Sequence, residues 1–452
     1  MLEIDWDHGP YPDESTQALT RQFETLLKGK GQVVRKDGDF DGALKGATKV
    51  ITRTYKMPFV SHTTLEPQNC IAHVEMDKDK ITIIGPLQSP GGASTQANVL
   101  TGIDRMNIDV KYTRLGGGFG RRLTSDHAAE AVEISRLSGQ PIKVMWTRED
   151  DQTHDFYRPA GHQEITAGFD DDGKMVAWTQ RLASTTKYYR RNGVKPEDHW
   201  KPELYVNDFP RGLVDNFQNE YFSAKSGVSR GSWRAPAHTV NAFAIQSFLD
   251  EAAEELDEDP LDFRLRFLGE PQKILFGDDD DDTFDTERMA VVLKKAAEMA
   301  NWGRKMPKNF ALGIASHFVF GGYCAQVAEV EKLTDTTFKV HKVYGAVDVG
   351  TIINPAGVLS QMEGAINDGL SAALGQEIEI KNSHVMNENF DTYKMMRMVD
   401  SVPEIEVYMV DSDISPQGIG EIPLPPLAPA VTNALYRAGG KRLRSHPLSK
   451  GE

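Results

Sequence analysis

Two short segments of this 452-residue chain carry residue types that can do chemistry. Gly116-Gly117-Gly118-Phe119-Gly120-Arg121-Arg122 lies between a strand-like and a helix-like pattern. Glycines there let backbone N–H groups approach a ligand, and a following helix adds partial positive charge. A dinucleotide fingerprint needs a glycine where Arg121 stands, and a phosphate loop needs a Gly-Lys-Ser/Thr that does not follow. The same glycines also suit a tight structural turn. The second segment is Gly418-Ile419-Gly420-Glu421-Ile422-Pro423-Leu424-Pro425-Pro426. Apolar neighbours desolvate a carboxylate, raise its pKa and suit Glu421 to general-base work near neutral pH. An exposed glutamate in a proline-rich loop is the plainer alternative.

Other candidates fail on spacing. The twelve histidines include no His-Glu-x-x-His and no pair at helical ligand spacing, which disfavours a zinc hydrolase. Gly227-Val228-Ser229-Arg230-Gly231 has the letters of a nucleophile elbow, but polar Lys225-Ser226 precede it and the next helix pattern starts beyond Pro236. Cys70 and Cys324 lie in strand-like, partly apolar stretches and read as small buried hydrophobes. Asp278 to Asp282 is an unbroken acidic run without EF-hand spacing, so it reads as a self-repelling linker.

Around these segments, periodicity predicts a helix over 15–27, a strand over 48–56, a hairpin of 71–75 with 80–84 and a short helix over 96–100. A strand over 108–112 runs into the glycines, a helix over 126–138 follows, and 141–146 reads as a buried strand. A second strand–helix unit starts at Gln163, with strands over 163–169 and 175–184, a long irregular stretch, then Trp233-Arg234-Ala235-Pro236 and a strong helix. The similar order suggests internal duplication. Further on come a helix over 287–300, strands over 310–330 and 337–348, a helix over 358–374, a strand over 404–410 and a helix over 430–438. The uncharged stretch 310–328 has too many Gly and polar residues for a membrane span and reads as two buried strands joined near Gly321-Gly322. The whole is α+β, of mixed sheets with packed helices. Its expected divisions are an N-terminal segment 1–46, a first lobe 47–270 with the Gly-rich loop, an acidic linker and helix 271–304, and a second lobe 305–452 with Glu421.

Composition narrows the function. Hydrophobic residues at 39% and charged residues at 26% describe a folded globular chain. A net charge of −15 repels phosphate backbones, which disfavours nucleic-acid partners. Two cysteines cannot ligate an iron–sulfur cluster, so any such relay is on another chain. The acidic N-terminus lacks the basic and apolar regions of an export signal, and the compartment stays open.

Read together and in order, a longer set of motifs resembles one family. They are His62-Thr63-Thr64-Leu65-Glu66-Pro67, Gln88-Ser89-Pro90, Gly116 to Gly120, Trp233-Arg234-Ala235-Pro236, Ala325-Gln326-Val327-Ala328-Glu329-Val330, Asp348-Val349-Gly350 with Asn354-Pro355, Gln361-Met362-Glu363-Gly364, Gly420-Glu421 and Gly440 to Ser445. The chain resembles the molybdopterin-binding large subunit of the xanthine oxidase and aldehyde oxidase family, on the side of isoquinoline 1-oxidoreductase β-subunits and related aldehyde dehydrogenases. That resemblance implies a molybdenum hydroxylase for an aldehyde or N-heteroaromatic substrate. A glutamate deprotonates a molybdenum-bound hydroxide, the oxygen comes from water, and electrons pass to [2Fe–2S] clusters on a small partner subunit. It implies Glu421 as the base and Gln88, Gly118, Phe119, Gly120, Arg234, Gln361 and Gly420 as cofactor-binding. The molybdenum is held by the pterin dithiolene, in its cytosine dinucleotide form, with no metal ligand from the chain.

Two departures qualify it. Leu123 stands where purine-oxidising members carry a glutamate, which disfavours purines. The family's Met-Gly-Gln-Gly loop is absent, so the chain resembles the C-terminal portion of a large subunit, truncated or encoded as a split gene, with the loop on a partner chain or domain. A non-catalytic scaffold is the alternative function; a nicotinamide or flavin enzyme is disfavoured by the failed fingerprint.

Overall fold

The computed structural model describes residues 5, 9–189, 191, 193–205, 209–275 and 283–452. Helix Thr16–Leu27 begins where Ser15 accepts the Ala18 N–H, and its every-fourth apolar residues Leu19, Phe23 and Leu27 are buried. The first sheet orders strands Gln32–Asp37, Asn216–Ser223, Met175–Ser184, Gly161–Phe169 and Lys49–Met57. All neighbours are antiparallel except the pair Met175–Ser184 and Asn216–Ser223.

Between Lys49–Met57 and Gly161–Phe169 the chain builds a separate four-stranded sheet, ordered Ile108–Tyr112, Lys80–Gly85, Asn69–Glu75 and Ile142–Met145. Helices Pro90–Thr101 and Asp126–Ser138 close a small core on it through Ala93, Ala97, Ala128, Ala131 and Val132. The Gly-rich loop is the crossover from Ile108–Tyr112 to Asp126–Ser138. A third sheet orders Phe310–Val319, Gly322–Lys332, Phe338–Asp348 and Glu404–Met409, antiparallel except for the last pair. Strand Phe310–Val319 is buried almost throughout because helix Leu427–Arg437 and helix Thr286–Met299 both pack against its sheet. The approach is tight enough to need Gly313, where an added Cβ would lie 2.2 Å from Ala430 O and Ala434 N.

The first and third sheets repeat one order: three antiparallel strands, a crossover to a fourth strand parallel to the third, then a loop and a helix. In the first sheet the helix is His238–Glu255; in the third it is Leu427–Arg437. The two helices pack on each other within one continuous hydrophobic core. Their preceding loops, 232–237 and 418–426, are thereby brought face to face. The duplication thus does not run from 48–146 to a unit starting at Gln163, as the pattern suggested. The four-stranded sheet that carries the Gly-rich loop is an insertion within the first copy.

Other elements differ locally. Strand Ile142–Met145 is a half-exposed sheet edge rather than buried, with Met145 mostly open to solvent. The short helix expected at 96–100 is Pro90–Thr101, because Ser89 accepts the Gly92 N–H and Pro90 is preorganised at its first turn. The irregular stretch after residue 184 contains strand Asn216–Ser223, and the polar N-terminal segment contains its partner strand Gln32–Asp37 and helix Phe40–Gly46. The uncharged stretch forms the hairpin of Phe310–Val319 and Gly322–Lys332. Among the described residues no helix is long and apolar enough to cross a membrane. The acidic run Asp278 to Asp282 lies outside the described residues. Both cysteines are buried, and burial pushes each thiol up to about 12.

Candidate functional site

The Gly-rich loop is shaped by side chains that grip its backbone. Gly117, Phe119 and Gly120 all have positive φ. At Gly120 an added Cβ would come within 1.8 Å of the Ser232 carbonyl oxygen, so only glycine passes there. Gln88, placed just before the cap of helix Pro90–Thr101, accepts the N–H groups of Gly120 (3.2 Å) and Arg122 (3.1 Å) on its Oε1. The buried Arg122 donates from Nε to Gly117 O (2.8 Å) and from its terminal amines to Glu66 O and Pro86 O. Glu66 in turn accepts the Gly116 N–H at 2.8 Å. Gly118 and Phe119 keep backbone N–H groups with no acceptor among the described residues.

The facing loops of the two helices carry the rest. Arg234 donates from Nε to Gly420 O (2.7 Å), pairs with Asp368 (3.2 Å) and reaches Gln361 Oε1 (3.0 Å). Its own N–H donates to Phe119 O at 2.9 Å, which ties this loop to the glycines. Glu421 is half-buried rather than sealed in apolar contacts, and its Oε1 accepts the Ala235 N–H at 2.9 Å. Burial raises the Asp368 carboxyl, and Arg234 opposes that rise. Gln88, Gly118, Phe119 and Gly120 therefore meet Arg234, Gln361, Gly420 and Glu421 in one constellation. Gly418 and Gly420 are glycines with room to spare, since an added Cβ at either meets nothing within 4 Å.

Three residues organise this site in roles that the sequence did not signal: His62 and Arg121 stood in quoted motifs without an assigned role, and Asp155 stood in none. His62 faces Asp155 through Nδ1 (3.0 Å) and the Ser232 carbonyl through Nε2 (2.7 Å). Asp155 also accepts Ser61 Oγ and the His62 N–H and forms an ion pair with Arg121 at 3.1 Å. Burial alone would raise its carboxyl, but His62 and Arg121 outweigh burial and hold it down to about 2. The buried Arg121 also takes Asp126 in a two-pronged pair and lies over the rings of Trp146 and Phe156. Ninety-three residues separate His62 from Asp155 in the chain, so no local spacing could have paired them.

The chemistry this permits is specific. Glycine loops with unclaimed N–H donors, empty space beside Gly418 and Gly420, and a carboxylate fixed through one oxygen form a cradle for a bulky anionic group with a proton acceptor at its edge. This mixed-sheet architecture is the fold of the molybdenum hydroxylases. Quinoline 2-oxidoreductase from Pseudomonas putida 86 superposes with a TM-score of 0.81 at 14% identity, over 99% of this chain and 81% of that one. Two family models, each a molybdopterin cofactor-binding domain, match residues 23–201 and 252–402. The chain belongs to the molybdopterin cofactor-binding subunits of the xanthine oxidase family. It is 28% identical to the membrane-bound aldehyde dehydrogenase [pyrroloquinoline-quinone] of Gluconacetobacter polyoxogenes, over 99% of this chain and 60% of that protein. It is 29% identical to isoquinoline 1-oxidoreductase subunit beta of Brevundimonas diminuta, over 86% of this chain and 48% of that protein. The chain thus spans about half to three fifths of the length of these curated relatives.

Proposed function

We propose that this chain is the proton-transferring and cofactor-cradling part of a molybdenum hydroxylase that oxidises an aldehyde or an N-heteroaromatic ring. Turnover requires assembly with an iron–sulfur chain and with the portion that supplies the missing pterin loop. The molybdopterin centre, in its cytosine dinucleotide form, supplies two-electron oxidation with water as the oxygen source. The chain's own residues do the rest. Gly118 and Phe119 present their free N–H groups to the bound cofactor, with Gln88 and Arg122 fixing the loop's curvature. Glu421 accepts the proton released from the attacking oxygen, its free carboxylate oxygen being the acceptor because Ala235 holds the other. Arg234 acts as a positioning residue that fixes Gly420 and the Phe119 carbonyl. Its bonds to Gly420, Asp368 and Gln361 engage all three guanidinium nitrogens, which supports the reading that purines are poor substrates.

The observation that carries this proposal is the pair of hydrogen bonds from Arg234 and Ala235 to Gly420 and Glu421. The test purifies the chain with its partners and measures molybdenum, bound quinone and single-turnover reduction by an aromatic aldehyde on the same sample. Molybdenum near one per chain, with reduction slowed at least about a hundredfold by Glu421→Gln, is the expected result. Quinone in place of molybdenum, or a Glu421→Gln sample that reduces as fast as its parent at equal metal content, overturns it. No cofactor in the full assembly leaves the scaffold alternative.

A further inference from the structure

One charged side chain beside Glu421 has no part in the roles above. Lys187 follows strand Met175–Ser184 and its half-buried ammonium donates to Ser232 Oγ at 3.0 Å. Ser232 is the residue whose carbonyl abuts Gly120 and takes His62, and Ala235, three residues on, holds Glu421. No ion pair to the Lys187 ammonium is present among the described residues. Burial lowers the lysine pKa, while the charges of Glu203 and Glu421 oppose that from a distance. Glu203 makes no ion pair with it: one carboxylate oxygen takes the backbone N–H of Lys187 at 2.8 Å, and burial pushes its pKa up to about 7, so only about half of it is ionised near neutrality. An ammonium with a single neutral acceptor has two donors left to fill, and a half-buried charge gains most when an anion fills them.

The surroundings are aromatic. His238, at the start of its helix, is stacked on by Tyr205 (4.5 Å between ring centroids, 18° between planes) and approached edge-on by Phe320 at 5.2 Å. Its Nδ1 meets His317 Nε2 at 3.0 Å, and burial keeps both imidazoles neutral, His317 down to about 3. Lys187 holds Ser232, Glu421 holds Ala235 and the ring cluster gathers on His238, so one short segment, 232–238, brings ammonium, carboxylate and rings into one neighbourhood. Phe320 leaves 49% of its surface open, in a turn whose Gly321 and Gly322 touch Gln417 and Ile422 of the Glu421 loop.

We propose that Lys187 is a substrate-anchoring residue, its ammonium binding a carboxylate substituent on an aromatic or heteroaromatic substrate whose ring packs against Phe320. This rests on the function proposed above and narrows its substrate class to ring acids. The assembled complex is titrated with benzoate and with its neutral isostere benzamide, in the parent, Lys187→Met and Lys187→Arg. Benzoate should bind about tenfold or more tightly than benzamide to the parent, as a charge-assisted hydrogen bond gives. Lys187→Met should erase that preference, and Lys187→Arg, which keeps the charge, should retain most of it. Equal affinities in the parent, no benzoate binding at millimolar concentration, or a preference that survives Lys187→Met overturns the assignment. Reduction by 4-formylbenzoate and benzaldehyde separates the two readings. If neither aldehyde reduces the complex while Lys187-dependent benzoate binding persists, the oxidation chemistry fails and the anchor stands. If both reduce it and benzoate shows no dependence on Lys187, only the anchor fails.

Discussion

Asp155 holds Ser61, His62 and Arg121 at once, and that burden has a measurable pH signature. Its carboxyl is held at about 2 in the folded chain, against about 3.9 for an unperturbed aspartate. A depressed folded pKa contributes stability that is present above the unfolded value and lost as pH falls through the folded one. Asp155→Asn should therefore cost roughly 2 kcal/mol at neutral pH, with the gap to the parent closing between about pH 4 and pH 2 in urea titrations. Phe119→Ala belongs to a different class. Its ring is 40% exposed, so unfolding should shift by less than about 1 kcal/mol while molybdenum occupancy in the assembled complex falls. Of the candidate site, the glycines and Glu421 stood out by composition, whereas Gln88, Arg234 and Gln361 entered only through the ordered motifs of the resemblance. His62 was visible only as part of a motif, and Asp155 was not visible, because their roles come from contacts distant in sequence.

Helices and hairpins declared themselves where a cap and a period agreed, as in Thr16–Leu27 and Asp126–Ser138. Strand Asn216–Ser223 did not, because the alternation Phe217, Asn219, Tyr221 puts an amide among the buried positions. Helix Pro90–Thr101 looked shorter because Gly91-Gly92 mimic a turn. The repeated order of strands was hidden by the inserted sheet, since the first strand of the first copy lies more than a hundred residues before the second. Gly313 is the element-level weak point. Gly313→Ala should push helix Leu427–Arg437 off strand Phe310–Val319 and cost roughly 1–3 kcal/mol. Because Glu421 lies six residues before that helix, single-turnover reduction in the assembled complex should slow as well, at unchanged substrate affinity.

For the molecule as a whole, the ordered motifs disclosed the family while composition disclosed only a folded, acidic chain. Expressed alone, the chain should unfold cooperatively yet contain molybdenum far below one per chain and show no aldehyde oxidation. Co-expression with an iron–sulfur chain and the portion carrying the pterin loop should restore both. Stoichiometric metal in the isolated chain would refute this dependence.

The paired loops 232–237 and 418–426 also make the molecule self-reporting. The Ala235 amide proton belongs to one half of the repeated architecture and is retained by a carboxylate of the other. It can trade with deuterium only when the halves part or when Glu421 lets go. At high pH, where exchange counts every opening, its rate measures breathing of the seam; its chemical shift, followed against pH, records the ionisation of Glu421 itself. A single backbone hydrogen thus serves as both a strain gauge and a proton meter for the candidate site.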